Sequence, residues 1–188
     1  LTPAEAIAVG RSLEEFNLYF FEDPIEPENM DQWEYVASNV PMPLAMGERL
    51  YTVYQFLDLL NHRGAAFVRP DLSLAGGITN IKKIAAIAEA NYVGVVPHNP
   101  LSAVLTAACV QLDAATHNIP VQEYPSDDAT GVKADLVDEP LARDGGYLLV
   151  PDRPGIGIDL NEEAFAKYPT VSYDRPPLIN PDGSLREY

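Results

Sequence analysis

Residues 66–98, AFVRPDLSLAGGITNIKKIAAIAEANYVGVVPH, carry the reading that decides the fold. At either end stands a short apolar run, Ala66-Phe67-Val68-Arg69-Pro70 and Val93-Gly94-Val95-Val96-Pro97, of strand length and composition. Between them Ile81, Ile84, Ala85 and Ala88 fall on one helical face while Lys82, Lys83 and Glu89 point elsewhere. This predicts strand, helix, strand. The first run stops at Asp71 and the second at His98, so each strand hands over to an ionisable side chain. Gly76-Gly77, just ahead of the helix, reads as a turn requiring positive φ, because a lone glycine pair is too unspecific to mark a phosphate cradle.

The same grammar extends in both directions. Leu18-Tyr19-Phe20-Phe21 stops at Glu22-Asp23-Pro24, Pro43-Leu44-Ala45-Met46 at Gly47-Glu48, and Ile119-Pro120-Val121-Gln122 at Glu123. Helical patterns fall between, around Met30 to Ala37, Val53 to Leu60 and Ala103 to Ala115, and Thr2-Pro3-Ala4-Glu5 has the form of a capping box opening a helix. The stop residues 22, 48, 71, 98 and 123 are separated by 26, 23, 27 and 25 positions, the length of one βα unit. Strands alternating with helices pair in parallel, and short repeated units favour a (β/α) barrel, with an open doubly wound sheet as the rival. In a barrel the C-terminal ends of the strands converge on one mouth, where the chemistry is kept.

Only five of eight units are visible, and residues 125–188 do not continue the pattern. That tail is rich in Pro and Gly, with a hairpin expected around Asp144-Gly145-Gly146 and a short helix after Asn161. The expectation is therefore a partial barrel over 1–124 and a C-terminal tail over 125–188 that packs on the barrel or on a capping domain. The missing units are expected before Leu1, and Leu at a helix cap is an unusual natural start, so cleavage or truncation upstream is expected too.

With 47% hydrophobic residues and 21% charged, the 188-residue chain can bury a core and is not a disordered one. No apolar run is long enough to span a bilayer and no secretory leader opens the chain, so a cytoplasmic location is expected. Cys109 sits in an apolar run, which favours a buried inert thiol over a nucleophile. The net charge of −16 repels phosphate, arguing against nucleic acid and anionic membranes as partners.

At the expected mouth, Glu22, Glu48 and Asp71 could offer oxygen to Mg²⁺, a cation that favours carboxylates and keeps positions open for substrate oxygens. His62 and His117 precede strands and belong on the opposite, stabilising rim. His98 alone follows a strand, placing it as a general acid or base. Asp71 then either bonds the imidazole and holds its tautomer, the preferred reading, or adds a further ligand to the cation. Arg49 either meets a substrate carboxylate or is a solvated, ion-paired arginine.

Together, Phe21-Glu22-Asp23-Pro24, Met46-Gly47-Glu48-Arg49, Arg69-Pro70-Asp71 through Gly76-Gly77-Ile78-Thr79, Pro97-His98-Asn99-Pro100-Leu101 and Gln122-Glu123-Tyr124 resemble the mandelate racemase subgroup of the enolase superfamily, within it the galactonate-dehydratase-like enzymes. The resemblance runs over residues 18–124, and Pro154-Gly155-Ile156-Gly157 in the tail also fits it. It implies an α/β fold, the C-terminal part (strands 4 to 8) of a (β/α)7β TIM-like barrel, with the first strands and an N-terminal capping domain outside this chain. It implies Glu22 and Glu48 as metal ligands, Asp71 and His98 as the dyad, and Glu123 as the acid that hydrogen-bonds the substrate's carboxylate region. A third ligand, an Asp on the third strand, has no counterpart here. The implied activity is Mg²⁺-dependent dehydration of an aldonate or aldarate sugar acid by a lyase. It proceeds through α-proton abstraction and an enediolate to a 2-keto-3-deoxy acid, in a homo-oligomer. Racemisation or epimerisation of a 2-hydroxy acid, or a non-catalytic barrel remnant, are the alternatives, and the chain alone is expected to be catalytically incomplete.

Overall fold

A computed structural model describes residues 1–172 and 176–184. The chain opens with helix α1 (Pro3–Ser12), and the capping box is formed as expected, Thr2 and Glu5 bonding each other's backbone. Four units follow: β1 (Phe21–Glu22) and α2 (Met30–Ala37), β2 (Leu44–Met46) and α3 (Val53–Asn61), β3 (Phe67–Val68) and α4 (Gly77–Ala90), β4 (Gly94–Val95) and α5 (Ala103–Ala114). The strands are parallel and lie in the order β1-β2-β3-β4. Each strand beside its predecessor, with no reversal of order, is barrel topology; a doubly wound sheet would change direction at a switch point. The chain thus forms part of a parallel barrel wall. Gly76 and Gly77 take φ +89° and +74°, the conformation expected of that turn.

The alternation of side chains along a strand sorts the two faces. Leu44, Met46, Val68 and Val95 face the helices, in one cluster with Trp33, Phe56, Leu59, Ile81, Ile84 and Ala88. Trp33 is fully buried, and its indole N–H donates to Glu26 O at 2.9 Å, so the polar end of the ring is satisfied. The inner face holds Phe67, whose ring lies 5.2 Å from Tyr19 and 5.7 Å from Phe20. Gly94 stands opposite Phe67 in the β3–β4 register, where a methyl group would come within 2.8 Å of the ring. At the end of β2, Gly47 has φ +142°, and a Cβ there would meet the Arg69 backbone nitrogen at 2.8 Å.

The fifth expected strand, 119–122, does not form. Val95 N–H reaches Asn118 O at 2.8 Å, but the ladder goes no further, because Pro120 has no N–H to give. Side chains hold the segment instead: Asn118 Nδ2 donates to Ala85 O and Val93 O, and Gln122 Nε2 to Pro97 O. Beyond it lie α6 (Gly131–Asp135), the antiparallel hairpin β5 (Arg143–Asp144) and β6 (Tyr147–Leu148), and α7 (Glu162–Lys167). The hairpin and helix α7 fall where expected, and α6 is additional. The tail packs on α5 through a small cluster of Ala107, Val110 and Leu141 against Leu148, Ile156 and Ile158. Cys109 is buried, which pushes its thiol pKa up, as an inert core residue requires. Among the described residues no helix is long and apolar enough to cross a membrane.

Candidate active site

Parallel pairing carries the stop residues to one end of the wall. Asp23 N–H bonds Ala45 O at 3.1 Å, Arg69 N–H bonds Met46 O at 2.8 Å, and His98 N–H bonds Pro70 O at 3.2 Å, so adjacent strands end at the same level. Asp71 and His98 form an isolated parallel bridge just past the ends of β3 and β4.

Their side chains meet. His98 Nδ1 lies 3.0 Å from Asp71 Oδ2, and His98 Nε2 lies 3.1 Å from Glu48 Oε2. Asp71 is 1% exposed, and its other oxygen accepts the N–H groups of Ser73 (2.7 Å) and Leu74 (3.2 Å) and the Ser73 hydroxyl. Both oxygens are therefore engaged within the chain, which supports the dyad reading over a metal-ligand role. Both ring nitrogens thus face carboxylates, Nδ1 that of Asp71 and Nε2, on the side of the mouth, that of Glu48.

Glu22 and Glu123 are drawn together by a residue the sequence did not single out. Arg69, 4% exposed, donates Nη1 to Glu22 Oε2 at 2.6 Å and Nη2 to Glu123 Oε2. Glu123 Oε2 also accepts Asn99 N–H at 2.9 Å. The fully buried Asn99 side chain bonds Glu123 O at 3.0 Å and Thr106 Oγ1 at 2.8 Å, and Thr106 passes its hydroxyl to buried Asp128. Strand parity could have found Arg69, since it lies two residues before Asp71 and so on the same face. Nothing in the sequence alone marks Asn99 as a support for Glu123.

Electrostatics mark the cluster as one of crowded negative charge. Burial raises the Glu22 pKa above its ordinary value; Arg69 opposes the rise, while Glu48 and Glu123 add to it. Burial likewise pushes Asp23 up to about 6, with Arg49 opposing, and its Oδ1 has no partner among the described residues. Arg49 is turned to Glu26 and lies 3.8 Å from Asp23, so a substrate carboxylate would have to compete with two acids for it. His62 caps the end of α3, its Nδ1 on Asp58 O at 2.9 Å, and His117 follows α5, so both stand past helix C-terminal ends, apart from the mouth.

The sequence profile of the Enolase C-terminal domain-like family matches residues 1–164. The chain belongs to that family. This enolase C-terminal domain-like chain is 36% identical over 188 residues to the D-galactonate dehydratase of Variovorax paradoxus (strain S110), covering 95% of this chain and 48% of that protein. It is also 36% identical over 193 residues to the D-galactonate dehydratase of Xanthomonas oryzae pv. oryzae (strain PXO99A), covering 97% and 50%. Among solved structures, an enolase from Agrobacterium radiobacter crystallised with Na and L-malate superposes with TM-score 0.89 at 36% identity, covering 97% of this chain and 50% of that one. The mandelate racemase/muconate lactonizing enzyme from Jannaschia sp. CCS1 gives TM-score 0.84 at 35% identity, with 92% and 44% covered. The chain spans about half the length of the curated relatives it matches.

For an enolase-type chain the implied cation is Mg²⁺, and the donors fit it in kind. Glu22 and Glu48 carry hard oxygen donors at neighbouring strand ends, in a cluster whose mutual repulsion a divalent cation would relieve. Among the described residues no three His, Cys, Asp or Glu side chains stand together in a group that could hold a metal ion.

Proposed function

We propose that this chain forms the acid-rich side of the active site of a Mg²⁺-dependent sugar-acid dehydratase, acting on an aldonate or aldarate to give a 2-keto-3-deoxy acid. The observation that carries this is the arrangement of His98 between Asp71 and Glu48, with Glu22 and Glu123 joined beside them by Arg69. Glu22 and Glu48 would hold Mg²⁺, with a third ligand from the part of the relatives' length that this chain does not span. When bound, the ion supplies positive charge to a substrate carboxylate, which makes the neighbouring carbon more acidic.

The chain's own residues do the rest of their share with protons and position. His98 moves a proton at Nε2, either taking it from the carbon α to the carboxylate or giving it to the departing β-hydroxyl, and the unspanned part supplies the complementary group. Asp71 holds Nδ1 and so fixes the ring and its tautomer. Glu123, anchored at Oε2, presents Oε1 as an acceptor toward the substrate's hydroxyl or carboxylate end. Similarity to two D-galactonate dehydratases supports dehydration over epimerisation, which would return the proton to the carbon.

The test is product analysis with the intact protein, Mg²⁺ and a panel of aldonates and aldarates. A semicarbazide-reactive keto acid, lighter than the substrate by one water, is the expected product. Unchanged mass with inverted configuration would sink dehydration in favour of epimerisation. Glu48→Gln is expected to weaken Mg²⁺ binding in a calorimetric titration, and unaltered affinity would remove Glu48 from the ligand set.

A further inference from the structure

One buried cation stands beneath the mouth without an assigned role. Arg69 leaves the end of β3 with its guanidinium 5.7 Å above the Phe20 ring, bonded to Glu22 Oε2 at 2.6 Å and to Glu123 Oε2. Glu22 belongs to the first strand of the wall and Glu123 to the segment beyond the last, so a single side chain bridges the inner face. A planar fork with several fixed N–H groups can do this; an ammonium, a single point of charge, cannot aim two bonds the same way. Its Nε finds no partner among the described residues, so the two carboxylates are its only hydrogen-bond anchors there. Among the described residues, every hydrogen bond to these two carboxyl groups goes to Oε2.

We propose that Arg69 is a positioning residue that fixes which oxygen of Glu22 and of Glu123 faces the cavity, while weakening the site's hold on Mg²⁺. The proposal rests on the reading of Glu22 as a metal ligand given above. A guanidinium bonded to Glu22 cancels one negative charge beside the place a divalent cation would bind, and cation affinity at carboxylate sites grows with ligand charge. The same bond stops Glu22 from rotating and keeps Glu123 at a constant place beside it, which is what a reacting geometry needs. The two effects have opposite signs. A merely structural arginine would, when lost, loosen the mouth and impair metal binding and turnover together.

The experiment uses the intact protein with Arg69→Met and Arg69→Lys. Mg²⁺ is titrated calorimetrically into metal-free protein without substrate, and kcat/KM on the sugar acid is measured separately, with circular dichroism as the check on folding. Arg69→Met is expected to bind Mg²⁺ about three- to tenfold more tightly, because charge is no longer cancelled, while kcat/KM falls about a hundredfold, the scale of a misplaced reacting group. Arg69→Lys keeps the charge and loses the fork, so its Mg²⁺ affinity is expected within about twofold of wild type while kcat/KM still drops. Weaker or unchanged Mg²⁺ binding by folded Arg69→Met overturns the proposal. If Arg69→Met does not fold, Arg69→Lys decides: a fall in kcat/KM with Mg²⁺ affinity within about twofold of wild type supports the proposal, and unchanged kcat/KM, or a fall in both together, overturns it. A wild-type protein that takes up no Mg²⁺ removes the metal reading and this proposal with it, whereas wild-type binding with unaltered Arg69→Met removes this proposal alone.

Discussion

Asp71 has no freedom left. Two amides and a hydroxyl hold one oxygen and His98 holds the other, so Asp71→Asn changes the charge while leaving the shape. An amide NH₂ facing Nδ1 would donate to it and impose the wrong tautomer; kcat is expected to fall by about 10³–10⁴, as in hydrolases that rely on the same kind of pair. His98→Asn should lower kcat by a comparable factor of about 10²–10⁴ with the far-ultraviolet dichroism unchanged; near-normal turnover in either variant would take the pair out of the chemistry. Away from the mouth, burial pushes Asp113 on α5 up to about 7 from an ordinary 3.8, and its Oδ1 has no partner. Because the folded state holds this proton more tightly than the unfolded chain, stability falls as pH rises from about 4 to about 7 and stays low above that. Asp113→Asn is therefore expected to raise thermal stability at pH 8 and to matter little at pH 4. The gain should be on the order of 1 kcal/mol, below the full linkage value because the side chain keeps some contact with solvent. The five stop residues were legible because each follows an abrupt end to an apolar run. Arg69 was not, since its charge lies inside such a run, where the eye reads only strand.

At the scale of elements, the strands are short, and what aligns them is close contact as much as hydrogen bonding. Gly94→Ala would drive a methyl group to 2.8 Å from the Phe67 ring, which is already stacked on Tyr19 and tilted against Phe20. A cost of about 1–3 kcal/mol is expected in denaturant titration, the range for overfilled cores; a change under half of the lower figure would mean the ring yields freely. The helices were readable from their apolar faces and, for α1, from the Thr2 capping box; the structure adds Thr52 and Ser102, which cap α3 and α5 much as Thr2 caps α1. The fifth strand was misread for a reason the sequence contained: Pro120 removes the donor a ladder needs, and only the structure shows Asn118 and Gln122 side chains taking over. Glu123 reaches the mouth regardless, so the functional reading of its position outlived the error about its secondary structure.

For the whole molecule, a net charge of −16 over 188 residues means that folding gathers like charges, and at the mouth Glu48 and Glu123 both raise the pKa of Glu22. Raising ionic strength from about 0.01 M to about 0.15 M shortens the screening length from about 30 Å to about 8 Å. The melting temperature is expected to rise with added NaCl in metal-free protein, and an unchanged or lower value would show that self-repulsion is not a significant cost. The architecture was legible because the repeat is long and regular; the tail was legible only in outline, because its small elements pack on α5 through a few side chains that no periodicity announces. Finally, Glu22, Glu48 and Asp71 each come at or just past the end of a separate strand, whose height is fixed by bonds to the strand beside it. A loop or helix between two strands can therefore gain or lose residues over evolutionary time without disturbing the chemistry. A single insertion inside β3 would be another matter: it would exchange the inward and outward rows, sending Asp71 toward the helices and a greasy neighbour into the cavity.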